Sequence, residues 1–189
     1  MNRLGAALAA SILALPWTLR AEPVDYATTP THTFVHFEVL HGGLSTRRGR
    51  FNRAEGRITL DRSARSGSIE FTVQTASLDS GEPALDTRLR ETLDSTAHPS
   101  ARFTSRELVF DGEALRSARG TLELRGKSLP LDIVAGHFNC YLNPLFRRQV
   151  CGGEFIAEVE PARWGVLLEP SLGWAPTLTL RIQVEAVRQ

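Results

Sequence analysis

The sequence predicts an all-β domain, built as a sandwich or a barrel, with one short helix. Runs of alternating apolar and polar residues recur along the chain, and this period of two is typical of strands that bury one face. Turn signals separate the runs at short intervals, as at Ser66-Gly67, Asp111-Gly112, Arg125-Gly126 and Gly152-Gly153. Many short strands joined by polar turns favour one all-β domain in a chain of 189 residues.

The chain begins with a segment that predicts an export signal at residues 1–21, followed by the domain at residues 22–189. Arg3 precedes an uncharged apolar run from Leu4 to Leu15, Pro16 ends the run, and Ala21 is a small residue for cleavage. The run is shorter than the stretch of about 20 apolar residues that spans a bilayer. The alternative interpretation is an uncleaved membrane anchor.

The first predicted strand lies in the segment from Thr31 to Phe51. Its alternation puts one apolar face opposite a polar face, and the apolar face consists of Thr33, Val35, Phe37 and Val39. His41-Gly42-Gly43 then predicts a bend, and the basic run Arg47, Arg48 and Arg50 follows it.

The later strands follow the same pattern of alternation. They are predicted at residues 57–60 and 68–75, around Ala101 and Phe103, from Leu108 to Phe110, and at residues 121–125, 131–133, 154–160 and 178–186. The inward face of the last strand consists of Leu178, Leu180, Ile182, Val184 and Ala186.

One segment has helical spacing. Leu85, Leu89 and Leu93 recur every four residues between Pro83 and Ser95. This spacing predicts a short amphipathic helix, on the surface or across a mouth of the domain.

Cys140 and Cys151 are the two cysteines of the chain. In an exported protein an even number of cysteines favours a structural disulfide, which here closes a short loop. A redox or metal-binding pair is the alternative, although redox pairs are usually closer in sequence and no second cysteine pair completes a zinc site.

Several classes of site are disfavoured. The formal net charge of +1 implies no polyanionic partner, and no nucleic-acid motif, phosphate-binding glycine loop or Gly-x-Ser-x-Gly elbow occurs. His32 and His36 share a strand face but lie about 13 Å apart, too far for one metal ion to bridge. We therefore expect no catalytic centre, no metal and no cofactor.

The apolar strand faces remain as the candidate functional feature. In a small closed barrel such faces either fill the interior or line a cavity for one ligand. The alternation alone leaves both interpretations open.

From Tyr26 onward the chain resembles the YceI family of lipocalin-like, polyisoprenoid-binding proteins. The resemblance rests on the order and spacing of several short motifs. They are the segment from His32 to Phe51, Ala76-Ser77-Leu78-Asp79-Ser80-Gly81 with Asp86 and Leu89-Arg90, the segment from Pro99 to Ser105, the segment from Gly120 to Lys127, and Ile182-Gln183-Val184-Glu185-Ala186.

The resemblance implies an eight-stranded antiparallel barrel that binds a polyprenyl chain, a quinone tail or a fatty amide without catalysis. It also implies export, often to the periplasm, and a cysteine pair occurs in some branches of the family. Together with the alternation, it assigns to the cavity lining Val35, Phe37, Val39, Phe71, Val73, Phe103, Leu122, Leu124, Leu131, Ile133 and Phe155. An anionic headgroup is expected to meet Arg47, Arg48 or Arg50, for which a solvated loop is the alternative.

The chain departs from the family pattern after Leu89-Arg90. The family continues with an aspartate and an aromatic pair, whereas residues 91–99 are shorter and carry no aromatic side chain. We expect this change to alter the depth and closure of the pocket near Leu93.

Two other functions remain open at this stage. One is a structural or stress-associated interaction module whose barrel is filled by side chains. The other is a lipid-modifying enzyme, which needs a polar dyad inside the barrel. A membrane partner and the oligomeric state are left open by the sequence.

Overall fold

The computed structural model describes residues 22–112, 114–168 and 170–189, and the predicted export signal lies outside them. The all-β prediction is confirmed, with one α-helix among the described residues. None of these residues forms a helix with the length and apolar character needed to cross a bilayer. The elements are β1 (Val24–Thr28), β2 (Phe34–His41), β3 (Ser45–Phe51), β4 (Ala54–Asp61), β5 (Ser66–Gln74), β6 (Leu78–Asp79), α1 (Pro83–Thr92), β7 (Ser100–Asp111), β8 (Ala114–Leu124), β9 (Lys127–Asn143), β10 (Arg148–Val159) and β11 (Trp174–Arg188).

Eight strands form a closed antiparallel barrel, which confirms the architecture implied by the resemblance. The hydrogen-bonded order is β1-β4-β5-β7-β8-β9-β10-β11, and β11 pairs again with β1. Closure satisfies the backbone groups that an open sheet would leave at its edges.

The strands β2, β3 and β6 branch from the ring along β11. The first part of β11 pairs with β2, as in Leu180 opposite Phe37, and its last part pairs with β1, as in Ala186 opposite Thr28. β11 therefore runs the whole length of the interior, and its inward side chains contact both ends of the core.

β7 is one strand of 12 residues, so the prediction of two separate strands around Phe103 and Phe110 is wrong. Ser105 lies opposite Gly120 and Glu107 lies opposite Arg119, which leaves one extra residue between them. The hydroxyl of Ser105 donates to the carbonyl of Arg119 at 2.7 Å and stabilises this bulge. The bulge shifts the phase of the alternation without ending the strand.

The predicted helix is confirmed as α1, which ends at Thr92, before the predicted end at Ser95. Leu85 and Leu89 are buried on its inner face. The buried carboxylate of Asp86 accepts hydrogen bonds from the backbone N–H and the hydroxyl of Ser80, at 2.7 and 2.6 Å. These bonds attach the helix to the segment that follows β6.

Cys140 and Cys151 form the predicted disulfide. The two residues lie directly opposite each other on β9 and β10, where paired side chains approach closely. The bond therefore closes the base of the hairpin that joins these strands.

Candidate ligand cavity

Two cavities with apolar walls lie in the barrel interior among the residues that the structure describes. The larger has a volume of about 140 Å³ and the smaller about 70 Å³. Both are below the roughly 300–1,000 Å³ of pockets for drug-sized ligands. The larger cavity lies at the end of the barrel that carries α1.

One layer of side chains divides the two cavities. On β5 the lining passes from Phe71 in the smaller cavity to Val73 in the larger, and on β11 it passes from Ile182 to Leu180. Phe103 on β7 lies opposite Phe71 and also lines the smaller cavity. Aromatic rings at this layer therefore limit the length of the apolar space.

Two of these aromatic rings lie over glycines on neighbouring strands. A Cβ atom on Gly56 would be 2.6 Å from the Phe71 ring, and one on Gly120 would be 2.5 Å from the nearer of two Phe103 ring atoms. Because no side chain occupies those positions, the rings can lie flat against the barrel wall. These glycines thus keep the interior partly open.

Most of the predicted lining residues lie at the two cavities. The larger cavity is lined by five of them, namely Val35, Phe37, Val73, Leu122 and Leu124. The smaller cavity is lined by four of them, namely Phe71, Phe103, Ile133 and Phe155. Val39 and Leu131 are buried in the wall, and neither is among the residues that line the two cavities.

Other residues of the larger cavity were missing from the predicted site. Leu89 and Leu93 come from the helical segment, and their spacing could have indicated the cavity because it predicted a helix across the mouth. Leu168 lies in the connection between β10 and β11, and Trp174 is the first residue of β11, before an irregularity in its pairing with β2. No periodic pattern marks either residue. The further lining residues are Phe51, Thr75, Leu78, Thr92, Ala101, Val159, Pro161, Val166, Leu178 and Leu180.

Two threonines line the larger cavity, and both hydroxyl groups bond to the protein backbone. Thr75 donates to the carbonyl of His98 at 2.8 Å, and Thr92 donates to the carbonyl of Arg88 at 2.8 Å. Their donor protons are therefore engaged, and the methyl groups remain to contact an occupant. This wall favours a hydrocarbon over a polar group, whose burial without a partner is costly.

A polar groove of about 340 Å³ lies at the same end of the barrel, and we call it the rim groove. Its basic side chains are Arg47 and Arg88, with His41 beside them, and Glu82 accepts a hydrogen bond from Arg47 at 2.6 Å. Trp174 lines both the rim groove and the larger cavity. The rim groove is therefore adjacent to the apolar space.

Arg48 and Arg50 lie on the outer face of the barrel, away from both cavities. The β2–β3 register pairs them with the outward residues Glu38 and His36, and Arg48 donates to Glu38 at 2.9 Å. The guanidinium of Arg50 lies over the ring of Phe34. This register directs both side chains away from the cavities. The basic run is exposed to solvent, as the solvated-loop alternative expected, but it forms the strand β3 and not a loop.

Glu38 is the centre of an ion-pair network on this outer face. Its carboxylate accepts hydrogen bonds from Arg48 and from Arg181, at 2.9 and 3.1 Å. The hydrogen bond from Arg48 is the main cause of a lowered pKa for the Glu38 carboxyl, partial burial opposes it, and Arg181 adds to the lowering. Glu38 is therefore a carboxylate at neutral pH and joins three neighbouring strands.

The three histidines of the segment from Thr31 to Phe51 are spread over the fold. His36 faces outward opposite Arg50, His41 lies at the rim groove, and His32 is 3.9 Å from the Glu185 carboxylate. Across residues 22–112, 114–168 and 170–189, no three His, Cys, Asp or Glu side chains are arranged to hold a metal ion.

The sequence and the fold are similar to those of known proteins. The sequence matches the YceI-like domain family over residues 26–186. A UPF0312 protein of Vibrio cholerae serotype O1 is 26% identical over 183 residues, covering 95% of both chains. Burkholderia cenocepacia BcnA has a TM-score of 0.67 at 15% identity and covers 84% of this chain and 98% of its own.

A second solved structure has the same fold. It is a polyisoprenoid binding domain from Saccharophagus degradans, implicated in plant cell wall breakdown. Its TM-score is 0.60 at 12% identity, covering 88% of this chain and 99% of that one.

Proposed function

The chain belongs to the YceI-like domain family, and on that premise we propose that it binds the apolar tail of an amphiphilic lipid inside its barrel. The tail is a polyprenyl chain, a quinone tail or a fatty amide. The observation that carries the proposal is the larger cavity, whose wall is apolar throughout and whose hydroxyl groups bond to the backbone. Such a wall stabilises a hydrocarbon by about 25 cal/mol for each Å² removed from water.

The rim groove is the proposed position of the lipid headgroup. Arg47 and Arg88 lie there beside the apolar space, and Trp174 lines both regions. A guanidinium binds phosphate through charge-assisted hydrogen bonds. Of the three arginines that the sequence offered for the headgroup, Arg47 is the one assigned in this proposal, while the tail extends inward past Leu89.

A long tail requires more room than the larger cavity offers. The layer formed by Phe71, Phe103 and their neighbours must then move, so that the two cavities join. Rotation of a ring away from a glycine-backed wall is a smaller change than opening the barrel, because it leaves the strand pairing intact. The proposal therefore includes repacking of this layer on binding.

The solved structures support the ligand class by analogy. The Saccharophagus degradans domain is described as polyisoprenoid-binding, and it shares this fold. We extend that ligand class to the present chain without catalysis, so binding alone is the proposed activity. The proposed location is the periplasm, where the Cys140–Cys151 disulfide is stable and an isoprenoid tail requires a carrier.

One observation favours a second candidate function. Both cavities are small, which is also expected of an interaction module whose barrel is filled by side chains. The two candidates differ in whether the purified protein holds or takes up a lipid.

Native mass spectrometry of the purified protein, followed by organic extraction of the bound material, tests the proposal. We expect a lipid of isoprenoid, quinone or fatty-amide class at one molecule per chain, or uptake of an added polyprenol. Protein that emerges empty and takes up none of the three classes would favour the interaction module.

A further inference from the structure

We propose that the tip of the β9–β10 hairpin, residues 141–148, docks the barrel on the surface of an anionic phospholipid bilayer. We call these residues the hairpin tip. The inference is independent of tail binding, because it rests on an exposed surface at the end of the barrel opposite α1. It describes the surface to which the barrel binds and not the ligand inside the barrel.

The hairpin tip concentrates large apolar side chains in water. Leu145 is 88% exposed, Leu142 is 72% exposed and Phe146 is 53% exposed, and Tyr141 beside them is also exposed. Single exposed leucines are common on protein surfaces, but the hairpin tip exposes four large apolar or aromatic side chains within six residues. Exposed patches of this kind mark sites that contact another apolar phase.

The tip extends beyond its neighbouring strands, so the barrel offers these side chains no core. The β8–β9 pairing ends at Ser117 opposite Val134, and the β10–β11 pairing ends at Val150 opposite Val187. Residues 141–148 lie past the β8–β9 limit and before Val150, and their strand pairing is confined to the β9–β10 hairpin, as in Leu142 opposite Gln149 and Arg148 opposite Asn143.

Local bonds hold the tip in its exposed shape. The side-chain oxygen of Asn143 accepts hydrogen bonds from the backbone N–H groups of Leu145 and Phe146, at 2.9 and 3.2 Å. The disulfide between Cys140 and Cys151 closes the base. Since the turn is formed in advance, docking costs little ordering entropy.

The charge of the tip identifies its partner. Arg147 and Arg148 follow the apolar residues directly, and residues 141–148 contain no carboxylate side chain. Apolar side chains that enter the headgroup region, with arginines beside them to meet anionic lipids, are the pattern of interfacial membrane binding. The hairpin tip has eight residues, fewer than the roughly 20–30 that each partner gives to a stable protein interface.

Sedimentation with vesicles tests the proposal. The probes are phosphatidylcholine vesicles with and without phosphatidylglycerol, and the protein is the oxidised full domain. We expect binding to the anionic vesicles, a loss of about tenfold or more in L145S/F146S, and a loss of about fivefold for each arginine replaced in R147Q/R148Q. The loss of affinity caused by R147Q/R148Q should disappear on vesicles without phosphatidylglycerol.

Two control variants test whether the loss of vesicle binding is specific to the hairpin tip. Leu44 is 91% exposed in the β2–β3 turn at the other end of the barrel, so L44S should bind vesicles as the unaltered protein does. V73F fills the larger cavity and should also bind, which separates docking from uptake of a lipid tail. Near-ultraviolet circular dichroism and the melting temperature verify that each variant is folded.

Several results would overturn the proposal. The unaltered protein could fail to bind anionic vesicles, or L44S and L145S/F146S could lose equal vesicle affinity. V73F could also lose vesicle binding although its hairpin tip is intact. Self-association in lipid-free ultracentrifugation that L145S/F146S abolishes would assign the tip to a second copy of the chain instead.

Discussion

The ring of Phe37 lies where a Cβ atom on Gly49 would be. The two residues are directly opposite each other on β2 and β3, and Cε1 of Phe37 is 2.5 Å from the Cβ position of Gly49. Phe37 is buried and lines the larger cavity. The glycine thus allows the ring to lie against the barrel wall beside the apolar space.

We expect G49A to destabilise the barrel by about 1–3 kcal/mol, because the methyl group forces the Phe37 ring from its place. The new Cβ would also lie 2.9 Å from the carbonyl oxygen of Asp79. Urea denaturation measures the change. G136A is the control, since its Cβ would meet its nearest atom at an ordinary 3.4 Å. Equal losses in the two variants would contradict the role of the ring.

Removal of the disulfide should cost about 3 kcal/mol of unfolding free energy, because an open hairpin gains conformational freedom when it unfolds. Replacing both Cys140 and Cys151 with serine should therefore lower the melting temperature by about 6–12 °C. Differential scanning calorimetry of the oxidised protein, the reduced protein and the double variant gives the values. The reduced protein should resemble the variant, and an unchanged melting temperature in both would contradict the prediction.

The lowered pKa of Glu38 gives stability a defined pH dependence. A carboxylate whose pKa is lower in the folded state stabilises the fold above the unfolded value of about 4.3, and this contribution is lost as the pH falls through the folded pKa. E38Q should therefore be less stable than the unaltered protein at pH 7, by about 1 kcal/mol. Urea titrations across the acid range should show the two proteins converging, and a difference that grows below pH 4 would oppose this assignment.

Alternation predicted the inward face of β2 because that strand is regular and buries one side. Val35, Phe37 and Val39 are all buried, as expected. The same reasoning is sound for β11, where Leu178 and Leu180 line the larger cavity and Ile182 lines the smaller.

Bulges limit what alternation can predict. On β9, His137 lies opposite Glu154 and Ala135 lies opposite Phe155, so Gly136 is an extra residue and the inward phase changes there. A glycine is the only local signal of this change. The bulge in β7 had the same effect and made one strand resemble two.

The direction of each arginine side chain could not be predicted from the sequence, for a related reason. The basic run is not alternating, so its inward face depends on the register of the β2–β3 hairpin. Residues 42–44 form the connection, and the resulting register places Arg47 opposite Val39 and Arg48 opposite Glu38. The positions of Leu168, in the connection before β11, and of Trp174, at the start of β11, depend on tertiary packing that no local pattern encodes.

The register predicts which arginine affects the headgroup. R47Q should lower the affinity for geranylgeranyl phosphate by about tenfold and leave the affinity for geranylgeraniol unchanged, because a charge-assisted hydrogen bond is lost. R48Q is the matched control, since Arg48 also pairs with a glutamate but lies on the outer face. Fluorescence or calorimetric titration gives both affinities. If R48Q lowered the affinity for geranylgeranyl phosphate more than R47Q does, the headgroup would bind on the outer face instead.

The central claim is that the larger cavity holds the lipid tail, and one titration tests it most directly. Delipidated protein is titrated with geranylgeraniol in three forms: unaltered, V73F and V134F. Val73 lines the larger cavity, whereas Val134 is 55% exposed on the outer face of β9. We predict one bound molecule per chain for the unaltered protein and V134F, and an affinity at least about tenfold lower for V73F, because the added ring occupies the space of the tail. Equal binding by V73F, or no binding by the unaltered protein, would contradict the claim.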